Sequence, residues 1–561
     1  MNLGAYRLGF APTLAAIFVI AFSVQGVPEP LEPSPDTIQF DAELARANAG
    51  ALLRAGPTRT PGSTGAAAAA DYVRGELEEV ASGSVAEQDF EASVDGEDVD
   101  LRNVLLTLPG NSDRAVVVVA ERNSRTGSGA YTSAAATGVL LELATELGVS
   151  GRSRTLILAS IDGASAAEEG LREMLAALPE RTEVEAVLAV SQPGVERLEP
   201  PHLVASGADA NRPSLELVRT AESALEDRAQ LDARVDGALA QIARLAVPAA
   251  AGVQATLLEE GINAVTLSGA GEVPPPDAGT VDDRPAVESL ERIGGATLAL
   301  ASAIDVHPGP LASGPEAYIR LGDNVIPAWA IALLALVLLI PPALPIAVEL
   351  ARARGRGARL GGAVSWVTEW VIAALSALVA LYALALAGLI PRPSVPFDPG
   401  RFAIGPLELV AMVVLAGVGT GAWWILGVRR IPARPSPATL GAIAGTAVIL
   451  ATGLVWLANP FLALLIVPLA HVVVVHAISG RRTRALALPA ALLALLPLAA
   501  AVIYVGGVLD WGATMPWQLV LLVAGGSFGP FTAVCLMAAL AALAAVVRTA
   551  LSPGVPDPDS A

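Results

Sequence analysis

This chain of 561 residues contains a single cysteine and no lysine. Cys535 is the one cysteine, which excludes a fold held together by disulfide bonds. No lysine occurs and all 35 basic residues are arginine, a bias typical of a GC-rich bacterial genome rather than of a mechanism. Charged residues make up 16% of the chain and hydrophobic residues 53%, a composition that excludes disorder over most of its length.

The charge is divided unevenly between two parts of the chain. Residues 27–324 contain 47 acidic residues and 21 arginines, whereas residues 325–561 contain 7 acidic residues and 13 arginines. The strongly acidic first part argues against nucleic-acid binding. The chain therefore consists of two parts of different composition, with a boundary near residue 325.

Apolar stretches long enough to cross a bilayer recur in the second part of the chain. We predict eight spanning helices, at 8–26, 325–348, 364–389, 407–427, 438–458, 461–478, 486–506 and 526–547. The first stretch is either an anchor or a cleaved signal peptide. The stretch 518–547 is too long for one span and leaves room for a re-entrant piece.

Arginines are concentrated in alternate loops of the predicted bundle. Eleven lie after the second, fourth, sixth and eighth spans, whereas the other loops carry Arg392 and Arg401. By the positive-inside rule, the arginine-rich loops and both termini are cytoplasmic, and residues 27–324 are extracytoplasmic. The sequence thus predicts a multi-pass protein of a bacterial cell membrane, with the lipid bilayer as its first partner.

Six segments follow from these patterns. They are an N-terminal transmembrane anchor or signal peptide at 1–26, a linker at 27–37, an extracytoplasmic domain at 38–306, a linker at 307–324, a transmembrane domain of about seven helices at 325–548 and a cytoplasmic tail at 549–561.

Strand and helix patterns alternate within the outer domain. Apolar runs typical of buried strands occur at 103–108, 115–120, 155–160, 184–190 and 264–267, and helical spacing occurs at 66–80, 134–147, 166–178, 215–225 and 287–304. The alternation predicts an α/β fold with a mainly parallel sheet and helices on both faces. Such sheets bind ligands at the carboxyl ends of their strands.

A series of motifs in this domain resembles the zinc aminopeptidase and glutaminyl cyclase superfamily (peptidase family M-28). The motifs are RTPGSTG at 59–65, ADYVRGEL at 70–77, NVLLTLPG at 103–110, GVLLELA at 138–144, the strand at 155–160 with Asp162-Gly163, and GINAVTL at 261–267. The resemblance covers about residues 38–306. It implies a mixed sheet with helices on both faces, and two zinc ions held by histidines and carboxylates with a glutamate as general base.

The metal-binding positions depart from that family pattern. Glu121, followed by Asn123, stands in place of the first histidine, and Ala134 stands in place of the bridging aspartate. The glutamate pair falls on Ala164 and Ser165, or on Glu168 and Glu169 if the loop is longer.

The last two ligand positions also lack a metal-binding residue of the expected kind. These two positions fall near 253–254 and 274–277. The domain's histidines, His202 and His307, lie elsewhere in the sequence. We expect His202 to lie in a proline-flanked loop. We therefore expect no metal, no cofactor and no zinc-dependent hydrolysis.

The resulting hypothesis is a non-catalytic domain that binds or scaffolds a peptide or an envelope protein through a vestigial cleft, which Glu121, Asn123, Glu168 and Glu169 would line. One alternative is an active zinc aminopeptidase with a rearranged site built on these glutamates. The simpler interpretation of Glu168 and Glu169 is a pair of acids at a helix N-terminus. Glu121 has Arg122 as a possible ionic partner.

Ionisable residues within the predicted spans support a third hypothesis, a transporter-like role. His471 lies in mid-span, where such groups are costly and commonly functional. A hydrogen-bonded histidine packed between helices is the alternative. Glu369, between Trp366 and Trp370, is expected to reach the lipid headgroups.

Overall fold

The computed structural model contains an outer α/β domain and a bundle of apolar helices. It describes residues 2–33, 39–80, 82–94, 97–124, 127–149, 151–163, 169–178, 183–196, 200–229, 233–273, 279–312, 314–356, 360–393, 402, 404–428, 437–479 and 486–551. The strands are β1 (Gln25–Gly26), β2 (Ser84–Val94), β3 (Glu97–Leu108), β4 (Arg114–Glu121), β5 (Thr155–Ile161), β6 (Glu183–Ser191), β7 (His202–Val204), β8 (Ala264–Ser268), β9 (Tyr318–Leu321) and β10 (Asn324–Pro327).

A mixed seven-stranded sheet forms the centre of the outer domain, in the order β2-β3-β5-β4-β6-β8-β7. The pairs β4/β5, β4/β6 and β6/β8 are parallel, whereas β2/β3, β3/β5 and β7/β8 are antiparallel. The predicted mixed α/β fold class is therefore confirmed, but the expectation of a mainly parallel sheet is wrong. Two of the antiparallel pairs involve β2 and β7, which the apolar pattern does not predict, and the third joins the predicted strands β3 and β5.

Helices cover both faces of this sheet. Those of the outer domain are α3 (Ala42–Ala55), α4 (Thr64–Glu78), α5 (Ser133–Gly148), α6 (Glu169–Ala176), α7 (Leu215–Ala229), α8 (Ala238–Ala246), α9 (Val253–Glu259) and α10 (Val287–Val306). Successive residues of β4 alternate between the two cores. Val116 and Val118 pack with α3, α5, α7 and α10, whereas Val117 and Val119 pack with α6 and α9.

The second part of the chain is helical. Its helices are α11 (Ala328–Val337), α12 (Ile340–Gly355), α13 (Gly361–Leu386), α14 (Pro406–Trp423), α15 (Pro437–Ala458), α16 (Pro460–Ser479), α17 (Ala487–Val508), α18 (Met515–Gly525) and α19 (Pro530–Leu551), and α1 (Leu3–Leu8) and α2 (Phe10–Ser23) precede the outer domain. Among the described residues, eight helical segments are long and apolar enough to cross a membrane, which agrees in number with the prediction. The short helix α18 accounts for the excess length at 518–547.

A small sheet joins the two parts at one place. Gln25, just after α2, pairs with Val325, and β10 pairs with β9 in a hairpin that leads directly into α11. The two connections between the outer domain and the bundle therefore lie side by side, where the sequence pattern indicates no strands.

The outer domain packs against one end of the bundle through α8. Asn459, in the turn between α15 and α16, donates its side-chain amide to the carbonyl of Leu245 over 2.9 Å. Near the end of α17, the hydroxyl of Tyr504 donates to Asp236 over 2.5 Å. Helices α11 and α12 together form one candidate span, Ala328–Gly355, which begins directly after β10, so Arg352 and Arg354 at its end lie at the opposite end of the bundle.

Candidate functional site

An ion pair occupies the carboxyl ends of the central strands. Glu121 and Ile161 are partners in the parallel register of β4 and β5, so Arg122 and Asp162 follow at the same level. The Nη2 atom of Arg122 lies 3.2 Å from Oδ2 of Asp162, and both side chains are buried. The guanidinium also donates to the hydroxyl of Ser160 over 3.0 Å and to the carbonyl of Arg102 over 2.5 Å.

A second buried guanidinium lies next to this pair. Arg59 donates through Nε to the carbonyl of Arg122 over 2.9 Å and through Nη2 to the carbonyl of Ser128 over 2.7 Å. It also contacts the hydroxyl of Ser133 in the first turn of α5. Burial, and then the charge of Arg122, lower the pKa of Arg59 to about 10, so that it still carries its charge at neutral pH.

Asparagines fix the loops around the ion pair. The amide of Asn123 donates to the carbonyl of Arg59 over 3.0 Å, and its oxygen accepts the N–H of Gly163 at 2.7 Å. Asn103 accepts the N–H of Asp162 and donates to the carbonyl of Gly170. The sequence predicts that Asn123 lines the cleft. In the structure, its hydrogen bonds hold the loops after β4 and β5 in place.

The described residues at this edge do not fit a pair of zinc ions. Zinc needs neutral imidazoles or carboxylates that converge on one point. Here the buried guanidiniums of Arg122 and Arg59 lie at the ends of the strands and repel a dication through a medium of low polarity. The carboxylate of Asp162 is already engaged by Arg122 and by two backbone N–H groups.

Of the glutamates of the predicted cleft, the structure describes Glu121 and Glu169, and neither belongs to a metal-binding cluster of the described residues. Glu121 ends β4 and is half-buried. Glu169 begins α6, is largely exposed and pairs with Arg172 over 3.3 Å, as the interpretation of an acid at a helix N-terminus predicts. Glu168 lies outside the described residues. Within the described ranges, no group of three or more His, Cys, Asp or Glu side chains is placed to hold a metal ion.

The other family positions carry side chains of different chemistry. Ala134 is fully buried in the first turn of α5. Gln254, in α9, accepts a hydrogen bond from Thr266 over 2.7 Å, and positions 274–278 lie outside the described residues. The expectation that His202 lies in a loop is wrong, because it begins β7 and pairs with Ser268. His307 follows α10 and accepts a hydrogen bond from Arg154 through its carbonyl.

The pattern of the sequence does not reveal two polar residues of this edge. Gln192 directly follows β6 and has a φ of 52°, which is strained for a residue with a side chain. Among the described residues, its Oε1 atom and the hydroxyl of Ser128, after β4, are buried and have no hydrogen-bond partner. The one feature of the sequence that could have identified Gln192 and Ser128 is their position after predicted strands.

In the bundle, His471 is held by hydrogen bonds between helices. Its Nδ1 lies 2.8 Å from the hydroxyl of Tyr6 in α1, and its Nε2 lies 2.9 Å from the carbonyl of Leu338. This geometry supports the packing interpretation over a transport site. The expectation for Glu369 is wrong, because it is 7% exposed and accepts a hydrogen bond from Ser365 inside the bundle, where α13 packs against α19.

Solved structures similar to the chain are glutaminyl cyclases and zinc-dependent exopeptidases. A glutaminyl cyclase from an Acidobacteriales bacterium is 18% identical, with a TM-score of 0.39, and the match covers 50% of this chain and 99% of that one. A Zn-dependent exopeptidase from Parabacteroides distasonis is 16% identical, with a TM-score of 0.36 and coverage of 47% and 98%. A leucine aminopeptidase precursor from Bacteroides thetaiotaomicron is 16% identical, with a TM-score of 0.36 and coverage of 47% and 97%.

No family model and no curated protein matches the chain. The structural matches name the same two enzyme classes as the sequence motifs.

Proposed function

We propose that this chain is a multi-pass membrane protein whose outer domain has an aminopeptidase-like architecture, performs no zinc-dependent hydrolysis, and binds a peptide segment of an envelope partner. The observation that carries the proposal is the Arg122–Asp162 pair. Its guanidinium occupies the edge of the sheet and engages the aspartate that follows β5, and the neighbouring Arg59 adds a positive charge. A guanidinium neither binds zinc nor activates a water molecule as a base.

The polar atoms left without partners at this edge support a binding role. The Oε1 atom of Gln192 and the hydroxyl of Ser128 are buried and unsatisfied, which costs free energy that a ligand could recover. Tyr131 lies nearby, is half-exposed and donates to Glu196. Backbone N–H groups of a peptide are suitable donors for Oε1 of Gln192.

Hydrolysis assays test the loss of catalysis directly. The full chain in detergent is incubated with amino-acid nitroanilides and with peptides that begin with glutamine, in the presence of zinc, cobalt or manganese. We expect no turnover above that of a chelator-treated sample. Metal-dependent release of product that Glu168→Gln or Glu121→Gln abolishes would establish the rearranged peptidase instead.

Photo-crosslinking tests the binding role. A photoreactive phenylalanine analogue replaces Tyr131 at the carboxyl edge or, as a control, Val149, which follows α5 at the opposite edge and is 88% exposed. We expect a specific peptide or protein adduct at position 131 and none at position 149. Equal labelling at both positions, or none at either, contradicts a binding cleft.

The proposed placement is a bacterial cell membrane with the outer domain extracytoplasmic. The contacts of Asn459 and Tyr504 with the domain, and the arginines at the other end of the bundle, support it. In a Cys535→Ala background, an impermeant maleimide applied to intact cells should label Asp282→Cys but not Arg356→Cys. The reverse pattern inverts the topology.

A further inference from the structure

A narrow crevice lies at the junction of the outer domain and the bundle, away from the edge of the sheet described above. It is lined by Ser206, Gly207, Asp209, Asn211, Arg212, Arg244 and Leu245, which lie so close together that no water molecule fits between them, so a ligand can enter only when these side chains move apart. Asp209 and Asn211 are half-buried, whereas Arg212 and Arg244 are 4% and 2% exposed. The arginines therefore form its base.

These arginines present nitrogen atoms without acceptors. Nε and Nη1 of Arg212 and Nη1 of Arg244 are buried and have no hydrogen-bond partner. Arg244 uses its other terminal nitrogen to bind Glu272 over 2.6 Å. Among the described residues no carboxylate lies within ion-pair distance of Arg212, whose charge is met by the ring of Tyr318, 5.3 Å from its Cζ. A buried guanidinium without a counterion costs free energy unless an anion binds to it.

The surrounding structure holds both arginines in place. The backbone of Arg212 exchanges two hydrogen bonds with Glu316, and the hydroxyl of Tyr318 donates to the carbonyl of Pro213. Glu272, which binds Arg244, also accepts the N–H of Ala251 over 2.6 Å. The unpartnered nitrogens are thus fixed donors.

We propose that this crevice binds a phosphate or phosphodiester group. Guanidinium groups match the oxygens of a phosphate and bind them with charge-assisted hydrogen bonds. The one carboxylate in the lining, Asp209, is occupied by the N–H and the side-chain amide of Asn211 over 2.8 and 2.7 Å. It therefore offers little competition for the arginines.

The position of the crevice beside the bundle makes a lipid headgroup one candidate source of that group. Leu245 lines the crevice and accepts the hydrogen bond from Asn459, which belongs to the turn between two spanning helices. Lipid phosphates lie at this level of a bilayer, and basic pockets beside spanning helices bind them. Free phosphate is the other source.

Calorimetric titration of the full chain in a non-ionic detergent distinguishes these sources at constant ionic strength. The probes are inorganic phosphate and dihexanoyl-phosphatidylglycerol, with chloride as the reference. We expect saturable binding of at least one probe. Binding of the lipid alone assigns the crevice to a headgroup, and binding of both with similar affinity assigns it to free phosphate.

Three variants locate the binding. Arg212→Gln should weaken it by about tenfold or more, because charge-assisted hydrogen bonds are lost. Arg212→Lys keeps the charge and should retain part of the affinity, which separates a binding defect from misfolding. Arg172→Gln removes a partly exposed arginine of the outer domain that pairs with Glu169, and should bind like the unmodified chain. Absence of saturable binding by both probes, or unchanged affinity in Arg212→Gln, overturns the proposal.

Discussion

Arg122 and Asp162 form a buried ion pair at the ends of two adjacent parallel strands, with 3.2 Å between Nη2 and Oδ2. The pair follows β4 and β5, after which the resemblance in the sequence implies metal-binding positions, although neither Arg122 nor Asp162 is itself one of those positions. Sequence motifs of a hydrolase and a sheet edge filled by guanidinium groups therefore occur in the same domain.

Breaking this pair should strongly destabilise the outer domain. Arg122→Met leaves the carboxylate of Asp162 buried without its cation, and we expect a loss of roughly 3–5 kcal/mol in the free energy of unfolding. Hydrogen exchange of the amides of β4 and β5 measures it. The double variant with Asp162→Leu should recover much of that loss, since no charge is left alone. A loss below about 1 kcal/mol for Arg122→Met, the range of a surface ion pair, contradicts the account.

The stability of the outer domain should fall as the pH rises from 4.5 to about 7 because of Glu142. Burial raises the pKa of Glu142, in α5, to about 7 from its usual 4.5. A raised pKa means that the folded state holds the proton more tightly, so the contribution is complete below pH 4.5 and is lost as the pH approaches about 7. Such a shift corresponds to at most about 3 kcal/mol.

Glu142→Gln isolates this effect. Its carbonyl can still accept the N–H of Asp41, which donates to Glu142 over 3.0 Å. The variant should be more stable than the unmodified chain at pH 8, and the difference should shrink at pH 5. Thermal unfolding followed by circular dichroism at both values measures it. A difference that does not vary with pH would rule out this titration.

The junction between domain and bundle should depend on the hydroxyl of Tyr504. Tyr504→Phe removes its hydrogen bond to Asp236 and should cost about 1.5–3 kcal/mol, the usual range for a bond to a charged group. Tyr382→Phe is the matched control, because the hydroxyl of Tyr382 has no hydrogen-bond partner. Hydrogen exchange in α8 should increase in the first variant and stay unchanged in the second. Equal effects of the two variants count against this role.

The two histidines of α16 should differ in their effect on the first helix. His471→Ala removes the bond to Tyr6 and should loosen α1 from the bundle, whereas His476→Ala, which breaks no hydrogen bond of the structure, should not. All eight tryptophans lie at or after residue 329, so tryptophan emission during thermal unfolding monitors the bundle. We expect a lower midpoint for His471→Ala. If both variants unfold alike, the bond to Tyr6 does not stabilise the bundle.

The central strands can be predicted because both of their faces are buried. Runs such as residues 115–120 are continuously apolar, and β4 lies between β5 and β6. The strand β2 lies at an edge, most of its residues are half-buried or exposed, and it mixes polar with apolar side chains, so the same criterion misses it. Apolar length identifies the spanning helices for the same physical reason, since lipid requires a continuous apolar surface.

The absence of the family's metal-binding residues can be read from the sequence, but what replaces them cannot. Ala134 and Glu121 are visible as departures from a motif. The inward turn of Arg122 toward Asp162, 40 positions later, depends on the parallel register of two strands. The contact of Arg59 with Arg122 depends on the packing of a loop 63 positions earlier, which no local pattern encodes.

Metal analysis of the intact protein tests the central claim most directly. The full chain is purified from membranes without chelators, incubated with excess zinc, washed and measured by mass spectrometry of its metal content. A sheet edge occupied by Arg122 and Arg59 predicts well under one zinc per chain. Retention of one or two equivalents that Glu121→Gln or Glu168→Gln removes would contradict it.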